Sequence, residues 1–140
     1  MAFKVQYTDD GRVSPIEYLP CGAITPKVGM ALVQTSGNLA IAKGTDKPAY
    51  ISMCERETAC AAGDLIPVIR VHEDMVFETT FSAAATSVKL GDKVTLHASS
   101  GMEVTATTGG ACEVVGMDGA AVGDTVRVRF VLNPPAASGS

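Results

Sequence analysis

Short segments of alternating apolar and polar residues, closed by Gly, Pro, Asn, Asp or Ser, follow one another along most of this 140-residue chain. Their spacing, roughly one every 8–12 residues, is typical of a β-sandwich or β-barrel. No window of helical length keeps an apolar stripe free of glycine and proline. The sequence therefore predicts an all-β fold, a compact barrel or β-tulip-like domain. Its strands are expected near residues 30–35, 39–43, 49–54, 65–72, 75–81, 93–98, 103–107, 112–116 and 125–132.

The segment 1–26 differs in composition from the body that follows. Pro15, Pro20 and Pro26 interrupt the alternation, and each proline removes a backbone donor from a sheet ladder. We therefore expect no internal strand from Ser14 to Pro26. The chain then divides into three regions, an extended N-terminal arm at 1–26, a β-barrel domain at 27–132 and a flexible tail, NPPAASGS, at 133–140.

A hairpin segment, KLGDKVTLHASSGMEVTATTGG at 89–110, has a looser copy, KVGMALVQTSGNLAIAKG, at 27–44. Both open on Lys-x-Gly, and AVGDTVRV at 121–128 follows AAGDLIPV at 61–68 at nearly the same offset (89 − 27 = 62 and 121 − 61 = 60). Each half reads strand, Ser-Gly turn, strand, loop, strand, loop, Gly-Asp and strand. This order indicates an internal structural repeat. The alternative is convergence, because any β protein repeats alternating segments that end in glycine.

Charge and composition exclude several classes of partner. The formal net charge is -4, and the 11 Lys and Arg residues are scattered, with one tight pair in RVRF at 127–130. A phosphate-binding surface needs clustered basic residues, so nucleic acid is not an expected partner. We expect no signal peptide and no membrane segment, since no apolar run reaches the ~20 residues that span a bilayer. In the cytosol, Cys21, Cys54, Cys60 and Cys112 are then expected to be reduced thiols.

No pattern typical of catalysis or metal binding occurs in the sequence. The cysteines form no Cys-x-x-Cys pair, and only His72 and His97 could complete a zinc site with Cys54 and Cys60. The run HED, which begins at His72, places three polar groups in succession, but neighbours on a strand point to opposite faces. We therefore expect no catalytic residue, no metal site and no cofactor.

The stretch AITPKVGMALVQTSGNLAIAKGTDKPAYISM at 23–53 resembles the small head-decoration, or cement, proteins of tailed bacteriophages. Like that family, it has a Thr-Pro entry, an apolar strand, a turn with serine, a second strand, a Gly/Thr/Asp loop and a return strand. The segment GDKVTLHASSGMEVTATTGGACEVVGM is similar to the related compact barrel type, with Gly116 in its return strand. The first half departs from that pattern at Ser52 and Met53, where the family has a small glycine.

The resemblance implies a non-enzymatic protein that binds the outer surface of an assembled capsid and stabilises the shell, often as a homotrimer. Its partner would be the major capsid protein of a phage. Its location would be the virion surface, after assembly in the host cytoplasm. An extended arm on the shell can add a strand to an exposed sheet edge. The arm residues expected to bind the capsid are its apolar ones, Phe3, Val5, Tyr7, Ile16, Tyr18 and Leu19.

Two other classes of function stay open at this point. A phage tail or baseplate domain, or a carbohydrate-binding β module, would also be rich in strands. Sugar sites usually stack rings on exposed Trp or Tyr, and this chain has no Trp and three Tyr, two of them in the arm. The remaining class is an enzyme with an unrecognised site. Binding to a glycan array, or turnover of any substrate, would favour these alternatives.

Overall fold

The computed structural model describes residues 2–8 and 15–131, with the backbone alone at residues 6–8. Within these ranges all the regular secondary structure is β-strand, so the prediction of an all-β fold is confirmed. The predicted tail at 133–140 lies outside the described residues. The eleven strands are β1 (Lys4–Thr8), β2 (Ile16–Cys21), β3 (Ala31–Thr35), β4 (Asn38–Ile41), β5 (Tyr50–Ser52), β6 (Asp64–Arg70), β7 (Met75–Thr80), β8 (Lys93–Leu96), β9 (Val104–Thr108), β10 (Cys112–Met117) and β11 (Thr125–Phe130).

The nine strands predicted after residue 26 are all present, and their ends lie within two residues of the expected ones. β11 shows the physical reason. Val126, Val128 and Phe130 are buried, while the residues between them are only half-buried. The alternation in the sequence is thus the alternation of side chains between the two faces of a strand.

The strands form two sheets that share a core. One has six strands in the order β1-β7-β11-β10-β8-β9. The other has five in the order β2-β4-β3-β5-β6 and closes on itself, because β2 pairs with both β4 and β6. We call it the closed sheet. One cluster of buried side chains joins the sheets, with Ala31, Ile51 and Ile69 from the closed sheet and Phe77 and Phe130 from the six-stranded one.

The expectation of no internal strand from Ser14 to Pro26 is wrong. β2 passes through Pro20 and pairs along its whole length with β6. β6 also contains a proline, Pro67. Since each proline lacks an amide donor, a paired strand can hold one only at particular positions.

Both prolines lie where the β2–β6 ladder needs no amide. Hydrogen-bonded and non-hydrogen-bonded pairs alternate along antiparallel strands. The pairs Pro20–Leu65 and Tyr18–Pro67 are two residues apart and so belong to the same set. The Pro67 carbonyl accepts a hydrogen bond from the Met53 amide at 2.9 Å. The carbonyl and the nitrogen of Pro67 therefore point towards β5 rather than towards β2. The ladder therefore loses no donor to either proline.

The strands of the two halves pair in a matching order. From β2 to β6 the order is β4-β3-β5-β6-β2, and from β7 to β11 it is β9-β8-β10-β11-β7. The Gly63 amide donates to the Cys21 carbonyl at 2.8 Å, and the Gly123 amide donates to the Phe81 carbonyl at 2.8 Å. β2 pairs with β4 in parallel, and a parallel bridge joins Phe81, after β7, to Val104 in β9. The halves thus share a strand order and individual backbone hydrogen bonds.

The Ser-Gly turns of the two halves have different surroundings. Gly37 has φ of 85° and is exposed, with no atom within 4 Å of where a Cβ would stand. Gly101 has φ of 65° and is buried, and its carbonyl accepts the Ala31 amide at 2.7 Å. A Cβ on Gly101 would lie 2.8 Å from Ile41 Cγ2 and 3.0 Å from the Ala31 carbonyl oxygen. The second turn therefore packs against the closed sheet, while the first faces solvent.

Gly101→Ala is expected to lower the free energy of unfolding by about 2–4 kcal/mol, because left-handed backbone strain adds to a clash in a packed site. The matched variant Gly37→Ala has the backbone strain without the clash, and should cost about 1–2 kcal/mol. Urea denaturation of both variants measures the difference. Equal losses would contradict the packing of the second turn against the closed sheet.

Candidate functional site

β2 and β6 present apolar side chains on their outer face. Directly paired residues of antiparallel strands project to the same face. The outward pairs are Ile16–Ile69, Tyr18–Pro67 and Pro20–Leu65. Of the alternate residues, Ile66 and Val68 are buried inside the closed sheet, while Glu17 and Arg70 form an ion pair at 3.1 Å. An antiparallel pair with one face in water normally has polar side chains on that face, whereas the outer face of this pair is apolar.

A groove between β1 and β5 extends this apolar surface. A groove of about 260 Å³ is lined by the buried residues Phe3, Ile51 and Ile69. Because Ile69 also pairs with Ile16, the groove is continuous with the outer face of β2 and β6. We define the apolar face as the six exposed side chains of this combined surface, Val5, Ile16, Tyr18, Val28, Met53 and Leu65.

The apolar face holds most of the exposed large apolar side chains in the described part of the chain. Eight such side chains are between 41% and 65% exposed, and six of them belong to this face. The other two, Leu90 and Val122, lie in turns. Single exposed apolar residues are ordinary, but a contiguous group of them marks an interaction surface.

Two of the three outward pairs correspond to pairs of polar side chains in the second half. β7 pairs with β11 in the register in which β2 pairs with β6. At a constant offset (80 − 20 = 60 and 125 − 65 = 60), Pro20–Leu65 corresponds to Thr80–Thr125, and Tyr18–Pro67 corresponds to Glu78–Arg127. This arrangement of strands therefore accepts polar side chains on its outer face. The apolar side chains of the first half are not a requirement of the scaffold.

Arg127 links the charged groups of the polar outer face. Its Nη2 lies 2.9 Å from Asp118 Oδ1, and its Nη1 lies 3.7 Å from Glu78 Oε2. The hydrogen bond from Arg127, together with its charge, lowers the pKa of the Asp118 carboxyl, and the same bond raises the pKa of Arg127. Exposed ion pairs of this kind contribute little to stability. They suit a face that stays in water.

Three of the six residues predicted to bind a capsid lie together on the apolar face, namely Val5, Ile16 and Tyr18. Leu19 points the other way and packs, half-buried, against the core inside the closed sheet. The side chain of Tyr7 lies outside the described part of the chain. The predicted arm residues therefore do not all lie on one surface.

Phe3, the sixth of these residues, is buried. Its side chain is 2% exposed, and its ring centroid lies 5.1 Å from that of Phe130 and 6.5 Å from that of Phe77. Both contacts are edge-on, the geometry that aromatic pairs prefer. The Phe3 amide also donates to the Gly29 carbonyl at 2.9 Å. In this position Phe3 is a core residue, and its ring offers no surface to a partner.

Sequence reasoning missed Val28, Met53 and Leu65. The sequence did indicate that Leu65 lies on an apolar face. The run LIPVI at 65–69 has no polar residue, so both faces of a strand formed by these residues would be apolar. Such a run indicates a strand covered on both faces. Val28 and Met53 join the face because their loops fold beside the same groove as Val5. No local pattern encodes that placement.

Across residues 2–8 and 15–131, no three His, Cys, Asp or Glu side chains lie together as metal ligands. The Nδ1 atom of His97 accepts the amides of Ser99 and Ser100 at 3.2 Å, which stabilises a turn. Nor does any helix in these ranges have the length and apolar content to cross a membrane.

The chain matches no protein-family model and no curated protein. Its function is therefore inferred from the apolar face and from the resemblance carried by its turns.

Proposed function

We propose that this protein is a non-enzymatic decoration protein of a tailed-bacteriophage head, which binds the outer surface of the assembled shell and stabilises it. The observation that carries the proposal is the apolar face, because a contiguous exposed group of this kind marks an interaction site. The turn spacing that resembles head-decoration proteins supports the major capsid protein as partner. In this proposal the protein is made in the host cytoplasm and resides on the virion surface.

The size of the apolar face supports multivalent binding, as in the homotrimer that the resemblance implies. Fully burying one large apolar side chain contributes about 1.5–3 kcal/mol, so six that are already half-covered contribute on the order of 4–9 kcal/mol. Association costs about 4–15 kcal/mol in lost translational and rotational freedom. One copy would therefore hold its site weakly. Three joined copies bind more tightly, because the second and third contacts become intramolecular.

The finer description of the fold belongs to the same proposal. We propose a compact barrel or β-tulip-like domain whose two halves arose as an internal repeat. The matching strand orders, the paired backbone hydrogen bonds and the constant offset between the outward pairs of the two halves support this. Residues 27–132 would form the body, and the segment 1–26 would contact the shell from strands β1 and β2. One half would then present a polar outer face to water and the other an apolar face to the shell.

Co-sedimentation with expanded, empty phage shells tests the proposal. We expect the full-length chain to pellet with the shells at three copies per threefold position, and the mass of the free protein to give its own oligomeric state. A chain that stays in the supernatant with the shells of its own phage overturns the proposal. Deleting residues 1–22 is not a useful control, because it removes β2 and opens the closed sheet. Substitutions on the apolar face avoid this problem.

The exposure of Tyr18 favours one second candidate, a carbohydrate-binding β module. Its ring is 64% exposed, and exposed tyrosine rings can stack on sugars. Glycan-array binding that is lost in Tyr18→Ala, without binding to shells, would favour this candidate. A tail or baseplate domain would instead co-purify with tails and not with heads.

A further inference from the structure

Three of the four cysteines lie around the loop that joins β5 to β6. Cys21 is the last residue of β2, Cys54 follows β5 and Cys60 lies within the loop. Cys21 and Cys60 are 0% and 4% exposed, and Cys54 is half-buried. Cys112 belongs to β10 of the six-stranded sheet. All four are free thiols.

Backbone hydrogen bonds hold this loop along the end of β2 and the residues that follow it. From loop to strand they are Arg56 amide to Pro26 carbonyl at 3.0 Å, Cys60 amide to Ile24 carbonyl at 2.8 Å and Gly63 amide to Cys21 carbonyl at 2.8 Å. These bonds place the backbone of Cys60 beside that of Ile24, three residues along the chain from Cys21. The two segments therefore have little freedom to move apart.

The thiols of Cys21 and Cys60 meet inside the closed sheet. Both belong to the core cluster of that sheet, and a hydrogen bond joins their sulfur atoms. Burial, followed by the hydrogen bond to Cys60, raises the pKa of the Cys21 thiol to about 12. Cys21 is then protonated at neutral pH and is not the thiol that attacks an oxidant.

Arg56 lies beside the Cys60 thiol. Its guanidinium bonds to Asp64 Oδ2 at 3.2 Å and interacts with the sulfur atoms of Cys54 and Cys60. A positive charge at this point stabilises the negative charge that develops on an attacking sulfur. Thr58 and Ala59, next to Cys60 in the chain, are exposed, which leaves a small oxidant a short path to the loop.

We propose that Cys21 and Cys60 form a reversible disulfide bond that fastens the β5–β6 loop to β2. With hydrogen peroxide as the oxidant, the Cys60 sulfur attacks one oxygen, the O–O bond breaks, and a sulfenic acid and water form. The Cys21 sulfur then attacks the Cys60 sulfur, the S–O bond breaks, and the hydroxyl leaves as water with the Cys21 proton. The two thiols lose two electrons, which reduce the peroxide to two molecules of water.

This disulfide would act on stability and does not rest on the proposed function. Cys21 and Cys60 are distant in the chain, and closing a loop of roughly 40 residues restricts the unfolded chain. The midpoint of thermal unfolding should rise by roughly 5–15 °C on oxidation. The bond would also tie β2 to the loop that begins at Met53, so two parts of the apolar face would be joined covalently.

The test uses the full-length chain, treated with hydrogen peroxide or kept reduced. After oxidation we expect two of the four thiols to be lost, a Cys21–Cys60 linked peptide in the digest, and a higher melting temperature that dithiothreitol reverses. Four intact thiols, a linkage through Cys54, or an unchanged melting temperature would overturn the proposal.

Two variants separate this disulfide from general oxidation. Cys60→Ala should abolish the rise in melting temperature, whereas Cys54→Ala should keep both the rise and the linked peptide. Loss of the linked peptide in Cys54→Ala would count against direct reaction at Cys60. The reversible rise in melting temperature and the linked peptide in the unaltered chain are decisive by themselves. The test therefore holds even if one of the two variants does not fold.

Discussion

Exchanging Tyr18 for glutamate and Leu65 for threonine is expected to abolish binding to the expanded shell and to leave the fold intact. Glu78 and Thr125 occupy the corresponding outward positions of the second half, where the same strand register accepts them. Tyr18 and Leu65 are 64% and 59% exposed, so the free protein loses little packing.

The loss of shell binding should be at least about a hundredfold. Tyr18 and Leu65 are 64% and 59% exposed in the free protein, so burying the rest of each side chain contributes about 1–2 kcal/mol, and a factor of ten in affinity corresponds to about 1.4 kcal/mol. A glutamate in the interface adds a further penalty, because its charge would lose water without gaining a partner. Co-sedimentation with shells measures the binding, and thermal unfolding of the free variant checks its fold.

The matched control is the double variant Leu90→Thr with Val122→Thr. These two side chains are each 65% exposed, but they lie in turns outside the apolar face. The control should bind shells as the unaltered chain does. Full binding by the Tyr18→Glu, Leu65→Thr variant would show that the apolar face is not the contact surface. Equal losses in both double variants would point to a general effect of exposed apolar residues.

Phe3→Ala is expected to lower the free energy of unfolding by about 3–5 kcal/mol, the range for removing a buried phenylalanine side chain. The ring is 2% exposed and packs edge-on against Phe77 and Phe130, so its removal leaves a cavity in the core that the two sheets share. A loss of this size is a large part of the stability of an ordinary domain. Urea denaturation, analysed by linear extrapolation, measures it.

Val5→Ala is the matched control, because Val5 lies two residues further along the same segment and is 45% exposed. It should cost within about 0.5 kcal/mol of stability, as most surface substitutions do. Its expected effect is instead on shell binding, since Val5 belongs to the apolar face. Similar stability of the two variants would mean that Phe3 is not a core residue and would return it to the role of an arm contact.

The positions of the strands were predictable because the information is local. In β8, Val94 and Leu96 alternate with Lys93 and Thr95, and the first two are buried while Lys93 is exposed. Turn residues and the alternation of side chains along a strand depend only on residues that are close in sequence. A strand can therefore be predicted without knowing its partner strand. The candidate site was predicted in part for the same reason, since Ile16 and Tyr18 alternate along one strand.

The failure at Pro20 has the opposite cause. Whether a proline is tolerated depends on which side of the strand its nitrogen faces, and that is set by the register with a partner. The partner, β6, begins far along the chain, at Asp64. A rule based on proline content alone therefore excluded a strand that the β2–β6 register permits.

The sequence by itself determined that this protein is built from short strands and turns, because side-chain alternation, glycine and proline act on neighbouring residues. It also placed Val5, Ile16 and Tyr18 among the candidate contacts. Only the tertiary structure decided that Phe3 is core and Val5 surface, and that Met53 and Leu65 lie with Tyr18. Burial depends on which distant strands cover a side chain, and that is settled when the two sheets close around a common core.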